Sequence, residues 1–157
     1  MSPFEVWDLR AKPAAMPDYI TRAALSAIVP PQFILEALDD NKDGIEDPGL
    51  YQDLLTVAQK EVDGILGKRF RVPFANPIPD IVSTATLKIM GELLYKRRGY
   101  SGEQNPHEAA ANKERAALEK IASGTDPLTP EVQRKNPSAS IVTEKAKTTS
   151  RSGRTAV

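Results

Sequence analysis

The sequence predicts an all-α protein, a small bundle of four to five helices around one central apolar helix. Three observations support this fold class. The stretch 77–99 places apolar side chains on nearly every face of a helix, so that helix must be covered on several sides. Other stretches repeat apolar residues at helical spacing, with prolines and glycines at their ends. The length of 157 residues allows one modest core of this size.

The central helix has well-marked ends. Pro79 followed by Asp80 suits a first turn, which has spare amide groups and the positive end of the helix dipole. Three basic residues at 96–98 lie at the negative end of the dipole, and Gly99 follows them. We therefore expect this helix to begin near Pro79 and to end at Gly99.

Two short helices are expected before the central helix. Thr21 suits the N-cap of a helix that runs through Ile28, and the pair Pro30-Pro31 ends it. Pro31 then opens a second short helix, with the sequence PQFILEAL. The two helices should meet at a tight corner.

A longer amphipathic helix is predicted to pack against the central one. The pair Asp47-Pro48 suits the cap and first residue of a helix that reaches about Leu66. Its predicted apolar stripe consists of Leu50, Leu54, Ala58, Val62 and Ile65 or Leu66. Gln59 is assigned to the polar face.

Residues 105–108 predict the start of the last helix. They spell a capping box, in which the side chains of Asn105 and Glu108 satisfy each other's backbone amides. Pro106 stands at the first helical position, where no amide hydrogen is needed. The helix is expected to end near Ala122.

Composition divides the chain into an N-terminal arm (1–18), a helical domain (19–124) and a C-terminal tail (125–157). The arm contains prolines and two aromatic residues, Phe4 and Trp7. The tail is dominated by Ser, Thr, Pro, Lys and Arg and has almost nothing to bury. We expect the tail to be extended and to become ordered only when partners hold it.

Composition also excludes several kinds of protein. The sequence has no cysteine, which excludes disulfide bonds and thiolate metal sites. No apolar run reaches the roughly 20 residues that span a bilayer, so we expect no membrane partner and an intracellular protein where it is made.

The two halves of the chain carry opposite charge. Residues 1–66 carry a net charge of −7 and residues 67–157 a net charge of +7. This division favours copies that meet head to tail, and pairing within one monomer explains it equally well.

The sequence lacks the patterns of a catalytic site. His107 is the single histidine, and its place at the start of a helix explains it without catalysis. There is no nucleophile-elbow serine, no phosphate-binding glycine loop and no pair of metal-binding histidines. We therefore predict that the protein is not an enzyme and has no cofactor.

The acidic loop between the second and third helices is the one motif that resembles a ligand site. Its metal-ligand candidates are Asp39, Asn41, Asp43 and Asp47. The first three match the first half of a calcium loop, in which oxygens at alternate positions converge. Leu50 stands where a glutamate should close the cage, and Asp47 serves equally as a helix cap. An Asx-type turn is the favoured interpretation, and a bound cation is the weaker one.

Two basic clusters are candidates for binding phosphate groups or an acidic patch on a partner. They consist of Lys68, Arg69 and Arg71, and of Lys96, Arg97 and Arg98. Both clusters lie at or just beyond the C-terminus of a helix. The negative end of the helix dipole explains basic residues there without any ligand, and this is the favoured interpretation.

Four stretches, taken together, resemble a known family. They are PPQFILEALDDNKDGIEDPGL (30–50), VDGILGKRFRVPF (62–74), LLYKRRGYSGEQNP (93–106) and IASGTDPLTP (121–130). These stretches are similar to the small head-tail adaptor, or head-completion connector, proteins of tailed bacteriophages and prophages, especially those of the Mu-like branch. The resemblance covers roughly residues 19–130.

The resemblance implies a structural protein of the virion neck, made in the host cytoplasm and without catalytic residues. Such a protein forms a ring, a dodecamer in this family, that joins the portal protein to the stopper or tail-completion proteins. DNA passes through the ring without sequence-specific binding, and the two basic clusters would contact this channel or a neighbouring subunit. The tail would bind the portal or an adjacent subunit. The predicted partner-binding residues are Trp7, Ile141, Val142, Lys145, Lys147, Arg151 and Arg154.

Two other functions stay open on the sequence alone. A small helical DNA-binding protein would use the basic residues 96–98, and its affinity for DNA would fall steeply with salt. A calcium-responsive interaction protein would use the acidic loop. Neither alternative explains a tail that needs partners.

Overall fold

The computed structural model describes residues 16–128. They form five α-helices: α1 (Arg22–Ser26), α2 (Pro31–Leu38), α3 (Leu50–Leu66), α4 (Asp80–Arg97) and α5 (Glu108–Ser123). A single turn of 3-10 helix, Gly102–Gln104, lies between α4 and α5. These residues contain no β-strand, and the predicted all-α bundle is confirmed.

The helix α4 is the centre of the bundle, as its apolar residues predict. It packs against α1, α2, α3 and α5. Its fully buried apolar side chains are Val82, Ala85, Ile89, Met90 and Leu94. Burying a large side chain of this kind contributes about 1.5–3 kcal/mol. The helix α4 is apolar nearly all the way round, and neighbouring helices cover it on several sides.

Several helix ends follow the predicted signals. The hydroxyl of Thr21 accepts a hydrogen bond from the backbone amide three residues on, at 3.2 Å, and so caps α1. The helix α4 ends in basic residues followed by Gly99, whose φ of +86° only glycine adopts readily. The helix α1 ends at Ser26 and not at Ile28, and a turn at 27–29 follows it before Pro30.

The predicted start of α3 at Asp47-Pro48 is wrong. The helix begins at Leu50, after Gly49 with a φ of +86°. Asp47 does not cap the helix, because its Oδ2 accepts a hydrogen bond from the amide of Asp40 at 2.8 Å. Its carboxylate therefore closes the acidic loop.

The predicted capping box at residues 105–108 does not form. The helix α5 begins at Glu108, whose Oε2 accepts a hydrogen bond from the amide of Gly102 at 2.5 Å. Asn105 is buried, and its side-chain amide donates to the carbonyl of Glu92 at 3.1 Å. Asn105 therefore ties the start of α5 to α4, and Glu108 is used to hold the preceding loop.

The buried face of α3 is rotated from the predicted apolar stripe. Its fully buried residues are Leu55, Ala58, Gln59, Val62 and Leu66, while Leu50, Leu54 and Ile65 are half-buried. The assignment of Gln59 to the polar face is wrong. Its side-chain amide donates a hydrogen bond to the carbonyl of Pro17 at 2.8 Å, which allows a polar side chain to be buried there.

The connection between α3 and α4 packs onto the bundle through two aromatic side chains, Phe70 and Phe74, which are both buried. The amide of Phe74 donates a hydrogen bond to the hydroxyl of Tyr19 at 2.8 Å. The same hydroxyl donates to Oδ1 of Asp63 at 2.7 Å. Tyr19 therefore joins the segment before α1 to both the connection and α3.

The predicted division at residues 18/19 and 124/125 stays a prediction, because most of the arm and tail lies outside the described residues. Residues 16–18 and 125–128 are described. Leu128 is buried among the apolar residues of the bundle. Packing onto the bundle therefore continues at least to Leu128.

Candidate functional site

A buried ion network holds the three long helices together. Glu92 of α4 has a side chain with no exposed surface. Its Oε1 lies 2.6 Å from Nζ of Lys96, one turn along α4, and its Oε2 lies 2.6 Å from a guanidinium nitrogen of Arg115 on α5. The Nε of Arg115 lies 2.5 Å from Oε1 of Glu61 on α3. One guanidinium group therefore joins α3, α4 and α5.

The partners of Glu92 keep it charged. Burial alone raises the pKa of Glu92, but contact with Arg115 and Lys96 outweighs burial and holds the pKa below its ordinary value. The contact with Glu61 is the main reason that the pKa of Arg115 is raised further. Each buried charge thus has an opposite charge beside it. Removing one partner would leave another charge buried without compensation, which is costly.

The sequence reasoning missed this network. Glu92 lies in the most apolar stretch of the chain, and the apolar pattern assigned it no role. One signal was present, because Glu92 and Lys96 are four residues apart and such pairs face each other on a helix. No local spacing connects Glu92 to Arg115, since the two lie on separate helices.

The side chains of the acidic loop, residues 39–47, bind the backbone of the same loop. Asp39 Oδ2 accepts a hydrogen bond from the amide of Gly44 at 2.8 Å. Asn41 Oδ1 accepts from the amide of Asp43 at 2.9 Å, and Asp43 Oδ1 from the amide two residues on at 2.8 Å, which are Asx-type contacts. Within residues 16–128, no group of three or more His, Cys, Asp or Glu side chains is arranged to hold a metal ion. The candidates Asp39, Asn41, Asp43 and Asp47 thus all accept hydrogen bonds within the loop.

The basic residues at the end of α4 contact the end of α2. Nε of Arg97 donates a hydrogen bond to the carbonyl of Ala37 at 2.9 Å, and its guanidinium pairs with the carboxylate of Asp40. The guanidinium of Arg98 donates to the carbonyl of Asp39 at 2.7 Å. The last carbonyls of a helix have no partner within the helix, so these bonds satisfy the C-terminal end of α2.

The other basic cluster lies at the opposite end of the bundle, where α3 ends. Nζ of Lys68 lies 3.0 Å from Oε1 of Glu119 on α5. The guanidinium of Arg69 lies over the ring of Phe70, 5.8 Å from the ring centroid. Arg71 is exposed. The two predicted basic clusters are therefore not brought together into one surface.

Comparison with known protein families identifies the relationship of this chain. Residues 19–145, more than half of the chain, match the family described as bacteriophage Mu, Gp36. The chain belongs to the bacteriophage Mu Gp36 family. Among individual curated proteins, none matches its sequence.

Membership in the Gp36 family confirms that this is a Mu-like phage protein and points to a structural or morphogenesis role. The match begins at Tyr19, where the resemblance begins, and reaches residue 145 instead of ending at residue 130. It therefore includes the first part of the predicted tail. In the described part of the chain, no helix combines the length and apolar character needed to cross a membrane.

The predicted partner-binding residues lie outside the described residues. They are Trp7, Ile141, Val142, Lys145, Lys147, Arg151 and Arg154. Ile141, Val142 and Lys145 fall within the part of the chain that matches the Gp36 family, and the other four fall outside it. Their roles stay predictions.

Proposed function

We propose that the chain is a structural subunit of the phage neck, an adaptor that joins the portal protein to the stopper or tail-completion proteins. Copies of the chain form a ring, twelvefold as the resemblance implies, around the channel through which DNA passes. The chain has no catalytic role and no cofactor in this proposal. It is made in the host cytoplasm and becomes part of the virion.

Membership in the Gp36 family is the observation that carries this proposal. It makes the chain a phage protein, and the four stretches that resemble head-tail adaptors support a position in the neck. Three of those stretches lie wholly within the described bundle, at 30–50, 62–74 and 93–106. They include the acidic loop and both basic clusters, so the resemblance extends to the surface of the bundle.

The distribution of charge supports the assembly of copies. Residues 16–128 contain 17 Asp and Glu against 13 Lys and Arg, a net charge of −4. The rest of the chain contains 4 Asp and Glu against 8 Lys and Arg, a net charge of +4. All of this excess lies in residues 129–157, which contain 2 Asp and Glu against 6 Lys and Arg, because residues 1–15 contain two of each. The positive C-terminal segment can therefore bind the negative bundle of a neighbouring copy. Such a contact joins two different surfaces, and repeated contacts of this kind build a ring when the rotation between copies closes and a filament when it does not.

Side-chain contacts make the bundle suitable as a spacer of fixed shape. Arg115 joins α3, α4 and α5, and Arg97 and Arg98 join α2 to α4. The guanidinium of Arg22 in α1 lies 5.0 Å from the ring centroid of Tyr51 in α3. All five described helices are thus connected by charged side chains as well as by apolar packing. A ring that holds two virion components at a fixed spacing requires subunits whose helices keep fixed relative positions.

The C-terminal tail supplies the contact with the portal or with an adjacent subunit in this proposal. Ile141 and Val142 have strand-forming side chains and can add to an exposed sheet edge of a partner by main-chain pairing. The basic residues that would meet acidic groups of the partner are Lys145, Lys147, Arg151 and Arg154.

A pull-down with immobilised portal protein tests the proposal. The full chain should bind, whereas a chain that lacks residues 131–157 should keep its helical circular dichroism spectrum and lose binding. Arg71→Gln is a matched control, because it removes an exposed positive charge from the bundle and leaves the tail intact. Equal retention of the full and the shortened chain would contradict the proposal.

The contacts in the bundle favour this proposal over the two alternatives. Arg97 and Arg98 are engaged at the end of α2, which leaves fewer free positive charges for a phosphate backbone. The candidate calcium ligands accept hydrogen bonds from amides of their own loop. A DNA affinity that falls steeply with salt would revive the DNA-binding alternative.

A further inference from the structure

Four rings meet at one end of the bundle, and we call them the aromatic patch. They belong to Phe33 of α2, Tyr95 of α4, Tyr100 in the following loop and His107 before α5. The rings of Phe33 and Tyr95 are stacked, with centroids 4.0 Å apart. The ring of Tyr100 lies 6.1 Å from that of Phe33 and 6.0 Å from that of Tyr95, and the ring of His107 lies 5.2 Å from that of Tyr95. The rings therefore adjoin one another.

The aromatic patch remains accessible to solvent. Each of its four residues is partly exposed, and Tyr100 exposes 42% of its surface. The other end of the bundle differs, because Phe70 and Phe74 are buried there. Single exposed apolar residues are normal on a protein surface, whereas adjoining aromatic rings are typical of the centre of an interface. The aromatic patch therefore suits a partner with apolar groups.

The N-terminal segment, residues 1–15, has side chains that suit this patch. It carries Phe4 and Trp7, the latter being the single tryptophan of the chain. Aromatic side chains pack favourably on one another in stacked or edge-to-face arrangements. Glu5 and Asp8 lie next to these two residues in the sequence. Burial and the positive charge of the nearby Lys88 lower the pKa of His107. Lys88 therefore lies beside the patch, where the carboxylates of the N-terminal segment can approach its positive charge.

The N-terminal segment is attached to the bundle at α3. The carbonyl of Pro17 accepts a hydrogen bond from Gln59 at 2.8 Å, and Oδ1 of Asp18 accepts one from Gln52 at 3.1 Å. Both donors lie on α3, so the segment leaves the bundle from α3. The aromatic patch lies where α2, the end of α4 and the start of α5 meet. A fully extended segment of 15 residues spans about 50 Å, so the test must separate binding to its own bundle from binding to another.

We propose that Phe4 and Trp7 of one copy bind the aromatic patch of the adjacent copy. The N-terminal segment then links neighbouring subunits, separately from the contact of the C-terminal tail with the portal. This inference rests on the proposed function, because it requires that copies assemble. The inference adds to the proposed function the residues through which two adjacent copies contact each other.

Engineered cysteines test the contact, because the natural chain has none. One full-length chain carries Val6→Cys, next to Trp7, and a second carries Ser101→Cys, next to Tyr100, so that all the aromatic rings and the carboxylates of Glu5 and Asp8 stay intact. The two chains, with tags of different size, are produced together with the other virion proteins. Particles and free chain are separated by mass and are then oxidised mildly. We expect disulfide-linked pairs of the two different chains.

Matched variants show whether the link depends on the patch. Thr84→Cys, an exposed position near the start of α4, replaces Ser101→Cys as the control and should give few linked pairs. Adding Tyr100→Ala to the Ser101→Cys chain should lower the yield of linked pairs several-fold. Adding Val57→Ala, which truncates an exposed apolar residue on α3, should leave the yield unchanged.

The outcomes separate this inference from the proposed function. A disulfide within one chain that carries both Val6→Cys and Ser101→Cys would overturn the inference, because the segment would then cover its own patch. Particles that contain the chain but no linked pairs would overturn the inference and leave the proposed function intact. Absence of the chain from particles would contradict the proposed function. If the chain is absent from particles, the oxidised free chain tests the inference. Linked pairs in the free chain support the inference, and the absence of linked pairs there overturns it.

Discussion

Two contacts built on arginine side chains hold the helices together, and they differ in their exposure to water. Arg115 contacts Glu92, whose side chain has no exposed surface. Arg97 pairs with Asp40, whose side chain is 53% exposed, and donates a hydrogen bond to a carbonyl at the end of α2. Water can replace much of the second contact and little of the first. The same type of side chain should therefore contribute unequally to stability.

The difference assigns different roles to two regions of the bundle. The buried contact joins α3, α4 and α5, which are the three long helices. The exposed contact joins the short helix α2 and the acidic loop to α4. We therefore expect the long helices to set the global free energy of unfolding and the α2 region to open more readily.

The largest effect should come from breaking the buried contact. Arg115→Met should lower the free energy of unfolding by about 3 kcal/mol, because Glu92 stays buried with only Lys96 as a partner. Urea denaturation followed by circular dichroism measures this change. The double variant Arg115→Met with Glu92→Met is the control, and it should recover part of the loss because it removes the buried carboxylate as well. A loss within about 0.5 kcal/mol, as for an ordinary surface substitution, would be incompatible with the network.

Acid should weaken the same contact. The pKa of Glu92 is lowered in the folded protein, so its stabilising contribution is complete above the ordinary glutamate pKa and is lost as pH falls through the folded value. Urea denaturation at a series of pH values should therefore show a smaller acid-induced loss for Glu92→Gln than for the natural chain. Glu119→Gln removes an exposed carboxylate and is the control that should keep the natural dependence. Identical pH profiles for all three chains would contradict the stabilising contribution of the charged Glu92.

A smaller effect is expected from the exposed contact. Arg97→Ala should lower the free energy of unfolding by about 1 kcal/mol, because it removes a hydrogen bond to a carbonyl and a solvent-exposed ion pair. Hydrogen exchange should show faster exchange in α2 and little change in the middle of α4. Arg71→Ala, at an exposed position, should change neither quantity. Equal effects of Arg97→Ala and Arg115→Met would remove the distinction between the two regions.

The smallest effect is expected from calcium. The oxygens of the acidic loop accept hydrogen bonds from amides of the same loop, so added calcium should leave the melting temperature unchanged. Thermal denaturation with calcium and with a chelator measures this. A calcium-dependent rise in melting temperature that Asp43→Ala abolishes would establish a cation site and contradict this prediction.

The fold could be predicted because its main signals are local. The apolar residues of α4 demanded cover on several sides, Thr21 marked the start of α1, and Gly99 marked the end of α4. Each of these signals depends on spacing within one segment or on the backbone preference of one residue. The central helix and the order of the elements follow from such signals alone.

The predictions that failed concern side chains with a choice of partners. Local patterns predict that Asp47 and Glu108 cap their own helices, but each accepts a hydrogen bond from a loop amide instead. The helical pattern places Gln59 on the polar face, yet it is buried because the carbonyl of Pro17 accepts its hydrogen bond. Glu92 meets Arg115 only when α4 and α5 pack together. Tertiary packing decides each of these partners, and no pattern within a single segment reports it.

The most direct test of the adaptor account is the mass of the particle that contains the chain. We predict that the chain, mixed with portal protein, enters a particle with many copies of the 17.1 kDa subunit arranged as a ring. Native mass spectrometry or analytical ultracentrifugation would measure this mass. A chain that remains a monomer of 17.1 kDa in the presence of portal protein would contradict the account.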